Sequence, residues 1–327
     1  MLIDNHNRKI NYLRLAVTDR CNLRCNYCMP SEGINFAKND KLFTIDELCS
    51  LSEIMVEQGI DKIRITGGEP FVRKDLMILL RKLAQLDGLK DISITTNATL
   101  IGPYIQELKS LGIKNINVSL DAIDKETFER ITRRNQYDTV YGNLIKLVTE
   151  GFNVRINFIA LENQNTQDIL PILEVMKHYP VSVRFLEEMP FNGGSKSFNT
   201  ITWDYKKILS HILEQYPEVT KLESPKTSTS INYKIKGHQG TFGLIPSFTR
   251  TFCGSCNRLR ISATGDVITC LYGKPRMNLR DVMRGENREE NIKKHIQKAI
   301  GNRAKTGFEE QEKYDGIFEN SMTSIGG

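Results

Sequence analysis

No uninterrupted apolar run approaches the ~18–20 residues that a membrane span needs. The opening Met1-Leu-Ile-Asp-Asn-His-Asn-Arg-Lys9 lacks the apolar centre of a secretory signal. Both absences predict a cytoplasmic chain without a membrane partner. Glycine does not recur at every third position, which excludes collagen, and 39% hydrophobic residues are too many for a disordered chain. A Gly-x4-Gly-Lys-Ser/Thr phosphate loop is missing, which excludes an ordinary phosphate-loop GTPase. The chain has 45 Lys and Arg against 39 Asp and Glu, a net charge of +6. Its basic residues follow strand interiors more than a surface stripe, and no aromatic RNA-binding motif accompanies them, so no nucleic-acid partner is expected.

Cysteine is scarce, but it is grouped. Three of the seven occur in Cys21-Asn-Leu-Arg-Cys25-Asn-Tyr-Cys28, and three more in Cys253-Gly-Ser-Cys256 followed by Cys270. Cys49 stands alone and reads as a small core residue. In a reducing compartment, grouped thiols ligate metal more often than they form disulfides. A closed zinc site wants four Cys or His ligands, and each group offers three. His6 or Cys49 could complete the first group, so zinc stays open. Three thiolates on a cubane iron–sulfur cluster would instead leave one iron for a non-protein ligand.

Residues 10–190 alternate strand-like and helical patterns. Strands are predicted at 12–18, 62–66, 91–95, 115–120, 153–159 and 181–186, and helices at 45–58, 74–86, 101–111, 139–150 and 166–178. Thr44-Ile-Asp-Glu47 reads as a capping box opening the first helix. Repeated β–α alternation argues a parallel sheet with right-handed crossovers. Six units fall short of a closed eight-unit barrel, leaving a partial barrel or an open doubly wound sheet.

The strands alternate instead of reading as continuous apolar runs. Leu13, Leu15, Ile63, Ile65, Ile92 and Ile94 point one way; Arg14, Arg64, Thr95, Asn117, Ser119, Arg155 and Arg184 point the other. Crossover helices must cover the apolar side, so the polar side is expected to be the concave interior. Guanidinium groups converging there would repel one another unless an anion joined them, and a phosphorylated small molecule fits.

At ~150 residues per domain, 327 residues suggest about two units. The turn-rich Pro190-Phe-Asn-Gly193-Gly194-Ser195 divides the chain into 1–195 and 196–327. Beyond it a helix is expected over 203–215, short strands and turns over 231–272, and an exposed charged helix over 286–298. Residues 273–320 offer no defensible site. A Gly326-Gly327 end is ordinarily a frayed tail.

Cys21-x3-Cys25-x2-Cys28 after the first strand and Gly67-Gly68-Glu69-Pro70 after the second resemble the signature motifs of radical S-adenosylmethionine enzymes. Within that superfamily, Val17-Thr-Asp-Arg-Cys21, Tyr27-Cys-Met-Pro30, Asn117-Val-Ser-Leu-Asp-Ala122, Cys253-x2-Cys256-Asn-Arg258-Leu259-Arg260 and the Gly-Gly end resemble the GTP 3′,8-cyclase family, over essentially the whole chain. The resemblance implies an α/β fold, a partial (β/α)6 TIM-like barrel with a C-terminal α+β extension carrying a second cluster. It assigns Cys21, Cys25 and Cys28 to one 4Fe-4S cluster and Cys253, Cys256 and Cys270 to another. Tyr27, Gly68, Ser119 and Met189 would line S-adenosylmethionine. Arg14, Arg64, Thr95, Arg155, Arg258, Leu259 and Arg260 fall on substrate positions, Arg155 where the family usually has lysine. Lys62 and Arg184 are further triphosphate candidates.

The implied reaction is reductive cleavage of S-adenosylmethionine to a 5′-deoxyadenosyl radical. That radical abstracts hydrogen from carbon 3′ of GTP, giving 3′,8-cyclo-7,8-dihydro-GTP in the first step of molybdenum cofactor biosynthesis. The implied partners are a low-potential donor such as flavodoxin or ferredoxin, cyclic pyranopterin monophosphate synthase downstream, and a second copy in a homodimer. Gly326 and Gly327 are expected to fold back into the site, where glycine admits backbone that a Cβ would exclude.

Overall fold

The structure, a computed structural model, describes residues 1–191, 201–313 and 321–326. Six β–α units build the centre. Strands β1 (Tyr12–Ala16), β2 (Lys62–Thr66), β3 (Asp91–Thr96), β4 (Asn115–Ser119), β5 (Asn153–Ala160) and β6 (Ser182–Glu187) pair in sequence order, all parallel. Each expected strand forms, with ends shifted by no more than two residues. The predicted division at residue 195 lies outside the described residues, and the sheet itself runs through both proposed units. β7 (Thr241–Ile245) adds parallel to β6, and β8 (Arg258–Ile261) adds parallel to β1. Antiparallel ribbons extend both edges, giving a 12-stranded sheet whose order does not close among the described residues. It is an open, partial barrel.

Helices cover the apolar side, as the alternation requires. Helix α1 (Ile45–Glu57) starts at the expected capping box: Glu47 N–H donates to Thr44 Oγ1 at 3.1 Å, and Thr44 N–H to Glu47 Oε2 at 2.7 Å. Its inward face, Leu48, Leu51 and Met55, is buried with Leu13, Leu15, Ile63 and Ile65 in the main core. α2 (Leu76–Leu83), α3 (Ile105–Ser110), α5 (Tyr137–Thr149) and α6 (Ile169–His178) occupy the expected crossovers, separated from the sequence reading mainly by 3-10 turns at their starts. Helix α4 (Lys125–Thr132) was not expected; Asp124 caps it by accepting from Thr127 N–H at 2.7 Å.

Parallel register turns the polar alternation into rows. Arg260, Arg14 and Arg64 lie side by side on β8, β1 and β2. Thr95, Asn117 and Arg155 share a second row across β3, β4 and β5, and Ser119, Asn157 and Arg184 a third across β4, β5 and β6. Cys49 is buried in α1, as expected of a core residue.

Glu187, at the end of β6, fastens the C-terminal residues to the barrel. Its buried carboxylate accepts from Phe248 N–H and Thr249 N–H, each at 2.8 Å, and from Tyr205 N–H at 2.9 Å. Glu187→Gln swaps an acceptor oxygen for an amide donor facing these N–H groups. Losing charge-assisted bonds in a buried place costs roughly 2–3 kcal/mol, so the urea midpoint is expected to fall. An unchanged midpoint would contradict the role given to this carboxylate.

Candidate functional site

β1 runs directly into the first cysteine loop, and β2 into the Gly-Gly turn packed against it. Gly68 N–H donates to Thr18 O at 2.9 Å, and Glu69 N–H to Arg20 O at 2.8 Å. A Cβ at Gly68 would lie 2.4 Å from Arg20 O, so the two loops can approach this closely only at glycine. Behind the turn, the buried Glu69 carboxylate accepts from Thr96 Oγ1 at 2.8 Å and Asn97 N–H at 2.6 Å. Burial nevertheless pushes its pKa up to about 7.

All six grouped cysteines line one cavity of about 610 Å³, together with Tyr27, Gly68, Ser119 and Met189. None of the six is joined in a disulfide. Burial pushes Cys21 up to about 12, with Glu69 adding to the effect, and raises Cys25 and Cys28 as well. A thiol this resistant to ionising needs a cationic partner to become a thiolate, and a coordinated metal supplies one outright. Asn97 Nδ2 donates to Cys21 Sγ at 3.7 Å. Neither suggested fourth zinc ligand serves the first trio: His6 Nε2 bonds Arg303 O at 3.0 Å, and Cys49 is buried on α1 in the main core. The three-thiol donor sets therefore fit clusters with an open position. Tyr27 donates to Asp121 at 2.7 Å, while Asp121 also accepts from Ile159 N–H at 2.8 Å. Burial raises Asp121 to about 6. Asp121 sits inside a quoted motif, yet its orienting role needed coordinates to be seen.

The cationic wall stands between the two trios. Arg14, Arg64, Thr95, Arg155, Arg184, Arg258 and Arg260 all line the cavity, as does Lys62. Leu259 does not: lying between two lumen-facing arginines on β8, its side chain turns to the opposite face and is fully buried in the core. A substrate contact at Leu259, as expected from the sequence, would have to come from its backbone. Neutral oxygens accept from several of these guanidiniums. Arg64 Nε donates to Ser93 Oγ at 3.2 Å, Arg155 Nη1 to Asn115 Oδ1 at 3.3 Å, and Arg260 Nη1 to Gly326 O at 3.1 Å. Arg14 Nε, Arg184 Nε, Thr95 Oγ1 and Asn117 Oδ1 are buried without a hydrogen bond among the described residues. Burial and then Arg155 and Arg64 press Arg184 down to about 9; burial and then Arg258 press Arg260 down to about 10. A guanidinium keeps its proton in proteins, so this pressure marks a site shaped for several negative charges.

The second trio has its own polar shell. Gly307 N–H donates to Cys253 Sγ at 3.4 Å, and Arg303 Nη2 to Cys256 Sγ at 3.3 Å. Burial pushes Cys270 up to about 11, whereas at Cys256 Arg258 and Arg303 outweigh burial and lower the pKa. Arg303 and Gly307 lie within 273–320, where no site was expected; they carry no motif and become visible only by position. The end of the chain is not frayed where described. Ser321 Oγ donates to Cys28 O at 2.7 Å, and Gly326 O accepts from Thr66 Oγ1 at 3.2 Å as well as from Arg260. Gly326 has φ +80°, and a Cβ there would lie 3.0 Å from Ala16 Cβ. Gly327 lies outside the described residues.

Known proteins place this geometry in context. A Radical SAM superfamily model matches residues 15–176, and a Molybdenum Cofactor Synthesis C model matches residues 181–309. "GTP 3',8-cyclase" of Peptoclostridium acidaminophilum is 37% identical, covering 100% of this chain and 98% of that protein. "GTP 3',8-cyclase, mitochondrial" of Arabidopsis thaliana is 36% identical over 92% of this chain and 77% of that protein. "Molybdenum cofactor biosynthesis protein 1" of Bos taurus is 38% identical over 92% of this chain. The chain spans about half the length of that relative, 47%. Among solved structures, Streptococcus suis SuiB bound to S-adenosylmethionine shares the fold at TM-score 0.62 and 15% identity, covering 87% of this chain and 68% of that one.

Two outcomes follow from the electrostatics. Arg184→Met removes one charge from the repelling set, so the ligand-free protein should gain roughly 1–2 kcal/mol, read as a higher thermal midpoint; a lower midpoint would argue against mutual repulsion. Burial pushes the Glu69 carboxyl up to about 7, against an ordinary value of 4.5. Its protonated form is therefore favoured by folding: that contribution is complete below 4.5 and disappears as pH rises through 7. Between pH 4.5 and 7 the metal-free protein should lose up to roughly 3 kcal/mol through this group. Urea midpoints across that range should fall less steeply in Glu69→Gln, and equal slopes would remove Glu69 as the cause.

Proposed function

Because this chain belongs to the GTP 3′,8-cyclase family of radical SAM proteins, we propose that it converts GTP into 3′,8-cyclo-7,8-dihydro-GTP, the first step of molybdenum cofactor biosynthesis. The observation that carries this reading is that both cysteine trios and the cationic wall open on one cavity. On this reading Cys21, Cys25 and Cys28 hold one 4Fe-4S cluster, and Cys253, Cys256 and Cys270 hold the other. When bound, the first cluster and S-adenosylmethionine supply the one-electron chemistry that opens an unactivated ribose C–H bond, which no side chain can deprotonate at neutral pH.

The chain's own residues position and enclose. Tyr27, fixed by Asp121, lines the S-adenosylmethionine place with Gly68, Ser119 and Met189. Arg14, Arg64, Arg155, Arg258 and Arg260 neutralise the triphosphate, with Lys62 and Arg184 behind them. The orphaned Thr95 Oγ1 and Asn117 Oδ1 offer the nucleotide a donor and an acceptor. Arg155 replaces a family lysine with a longer fork, which can reach two phosphate oxygens at once. The Gly326 carbonyl holds Arg260 and Thr66 in place, and glycine there keeps side-chain bulk out of the reaction space. Residues 1–195 would form the radical SAM partial barrel, with the first cluster and most of the cationic wall, and 196–327 the region that carries the second cluster. The family likeness further supports a low-potential flavodoxin or ferredoxin as donor and cyclic pyranopterin monophosphate synthase as consumer of the product. It likewise supports a homodimer and a cytoplasmic setting.

Anaerobically reconstituted protein given GTP, S-adenosylmethionine and reductant should form a chromatographically distinct isomer of GTP together with 5′-deoxyadenosine. Formation of 5′-deoxyadenosine with GTP recovered unchanged, or with a modified peptide instead, would overturn the substrate assignment. Deleting Gly326 and Gly327 should lower turnover about 100-fold or more, because misplacing the reacting groups by ~1 Å has that cost. Wild-type turnover in the shortened chain would exclude the tail from the site.

A further inference from the structure

The two trios differ in what faces their sulfurs. At the first, the side-chain groups beside sulfur are neutral: Asn97 Nδ2 donates to Cys21 at 3.7 Å, and the Ser321 hydroxyl lies 3.7 Å from Cys28. At the second, guanidiniums join a backbone N–H: Gly307 N–H donates to Cys253 Sγ at 3.4 Å, and Arg258 Nη1 to Cys256 Sγ at 4.0 Å. Arg303 Nη2 donates to Cys256 Sγ at 3.3 Å, and Arg303 Nη1 to Cys256 O at 3.4 Å. Only 4% of the Arg303 side chain is exposed, so water screens this contact poorly.

Arg303 is held there by the start of the chain. Asp4, whose side chain is fully buried, places Oδ2 3.6 Å from Arg303 Nη1. Asn5 Nδ2 donates to Arg303 O at 3.1 Å, and His6 Nε2 lies 3.0 Å from the same oxygen. Asp4 is in turn fixed by Arg8, which donates from Nε to Oδ2 at 2.6 Å and from its backbone N–H to Oδ1 at 2.9 Å. The rest of the Arg8 guanidinium donates to Cys253 O at 2.9 Å, Lys305 O at 2.8 Å and Ala304 O at 2.9 Å. Residues 4–8 therefore grip both Arg303 and the backbone of the second cysteine loop.

We infer that Arg303 is a positioning residue for the second cluster: steered by Asp4 and the 4–8 segment, it donates to the Cys256 sulfur and favours the electron-rich form of the cluster held there. The inference rests on the two-cluster reading given above. Charge and hydrogen bonds at the sulfurs are among the properties that set an iron–sulfur potential, and partners around a ligand also govern how firmly it holds metal. An N–H donor carrying positive charge stabilises sulfur most when an electron is added. Removing it therefore makes the second cluster harder to reduce and leaves the first untouched.

The test is a redox titration of the full, anaerobically reconstituted chain followed by electron paramagnetic resonance. S-adenosylmethionine, which should alter only the signal of the first cluster, separates the two. Arg303→Met and Arg303→Gln are expected to move the second cluster's midpoint to more negative potential while the first stays in place. Asp4→Asn should move it the same way by less. Iron release from the second site to a chelator should quicken about tenfold in the Arg303 variants. A second-cluster midpoint equal to wild type in a loaded Arg303 variant, or an equal shift of both clusters, overturns the inference. Should both Arg303 variants fail to load the second site, Asp4→Asn decides by the same criterion. A wild-type chain carrying well under about eight irons would instead sink the two-cluster reading itself.

Discussion

Arg14, Arg64, Arg155, Arg184 and Arg260 are gathered inside one lumen by the two-residue period of parallel strands and by helices that claim the other face. Folding brings like charges together there and answers several of them with neutral oxygens. The remaining architecture can be read as what contains that cost. A core running from α1 through the inner faces of the other helices supplies apolar burial on the far side of the sheet. β7 and β8 extend the concave wall and bring the second cysteine loop opposite the first. A polyanion entering this space would relieve the repulsion while gaining forked hydrogen bonds, so binding and stability are coupled from the start.

The cysteine trios obey a related constraint. Burial makes every thiol of the two trios resist ionisation except Cys256, where two guanidiniums prevail, yet each trio is open to the cavity. The protein therefore offers two places where a positively charged metal assembly gains far more from sulfur than water could. The surroundings differ in kind: amide and hydroxyl at one, guanidinium and a backbone N–H at the other. Two sites with the same ligand count can thus serve different electronic purposes.

Much of this was legible in the residues. Val, Ile and Leu alternating with Arg, Thr and Asn fixed both the strands and the inward face, because a parallel strand must turn successive side chains to opposite sides. Thr44 and Glu47 announced the start of α1. Helix α4 escaped because its apolar residues within Lys125–Thr132 are little more than Phe128 and Ile131, too few to make a periodic stripe. Leu259 was named for its place in a motif between two arginines, and alternation turns its side chain to the core. Arg303, Arg8 and Asp4 were beyond reach of sequence reasoning for another reason: their roles arise from contacts across almost 300 residues, and no local pattern encodes such a meeting.

The pairing of β8 with β1 carries a kinetic consequence. Residues 258–261 must return across a loop of about 240 residues to cover the edge of residues 12–16. Until then β1 presents unpaired N–H and C=O groups, a template on which a neighbouring chain could add a strand. Closing so long a loop is slow compared with forming the local β–α units. Nascent molecules therefore pass through an interval in which aggregation competes with completion of the sheet, and crowding at the ribosome or scarcity of chaperones would bear hardest on this one seam.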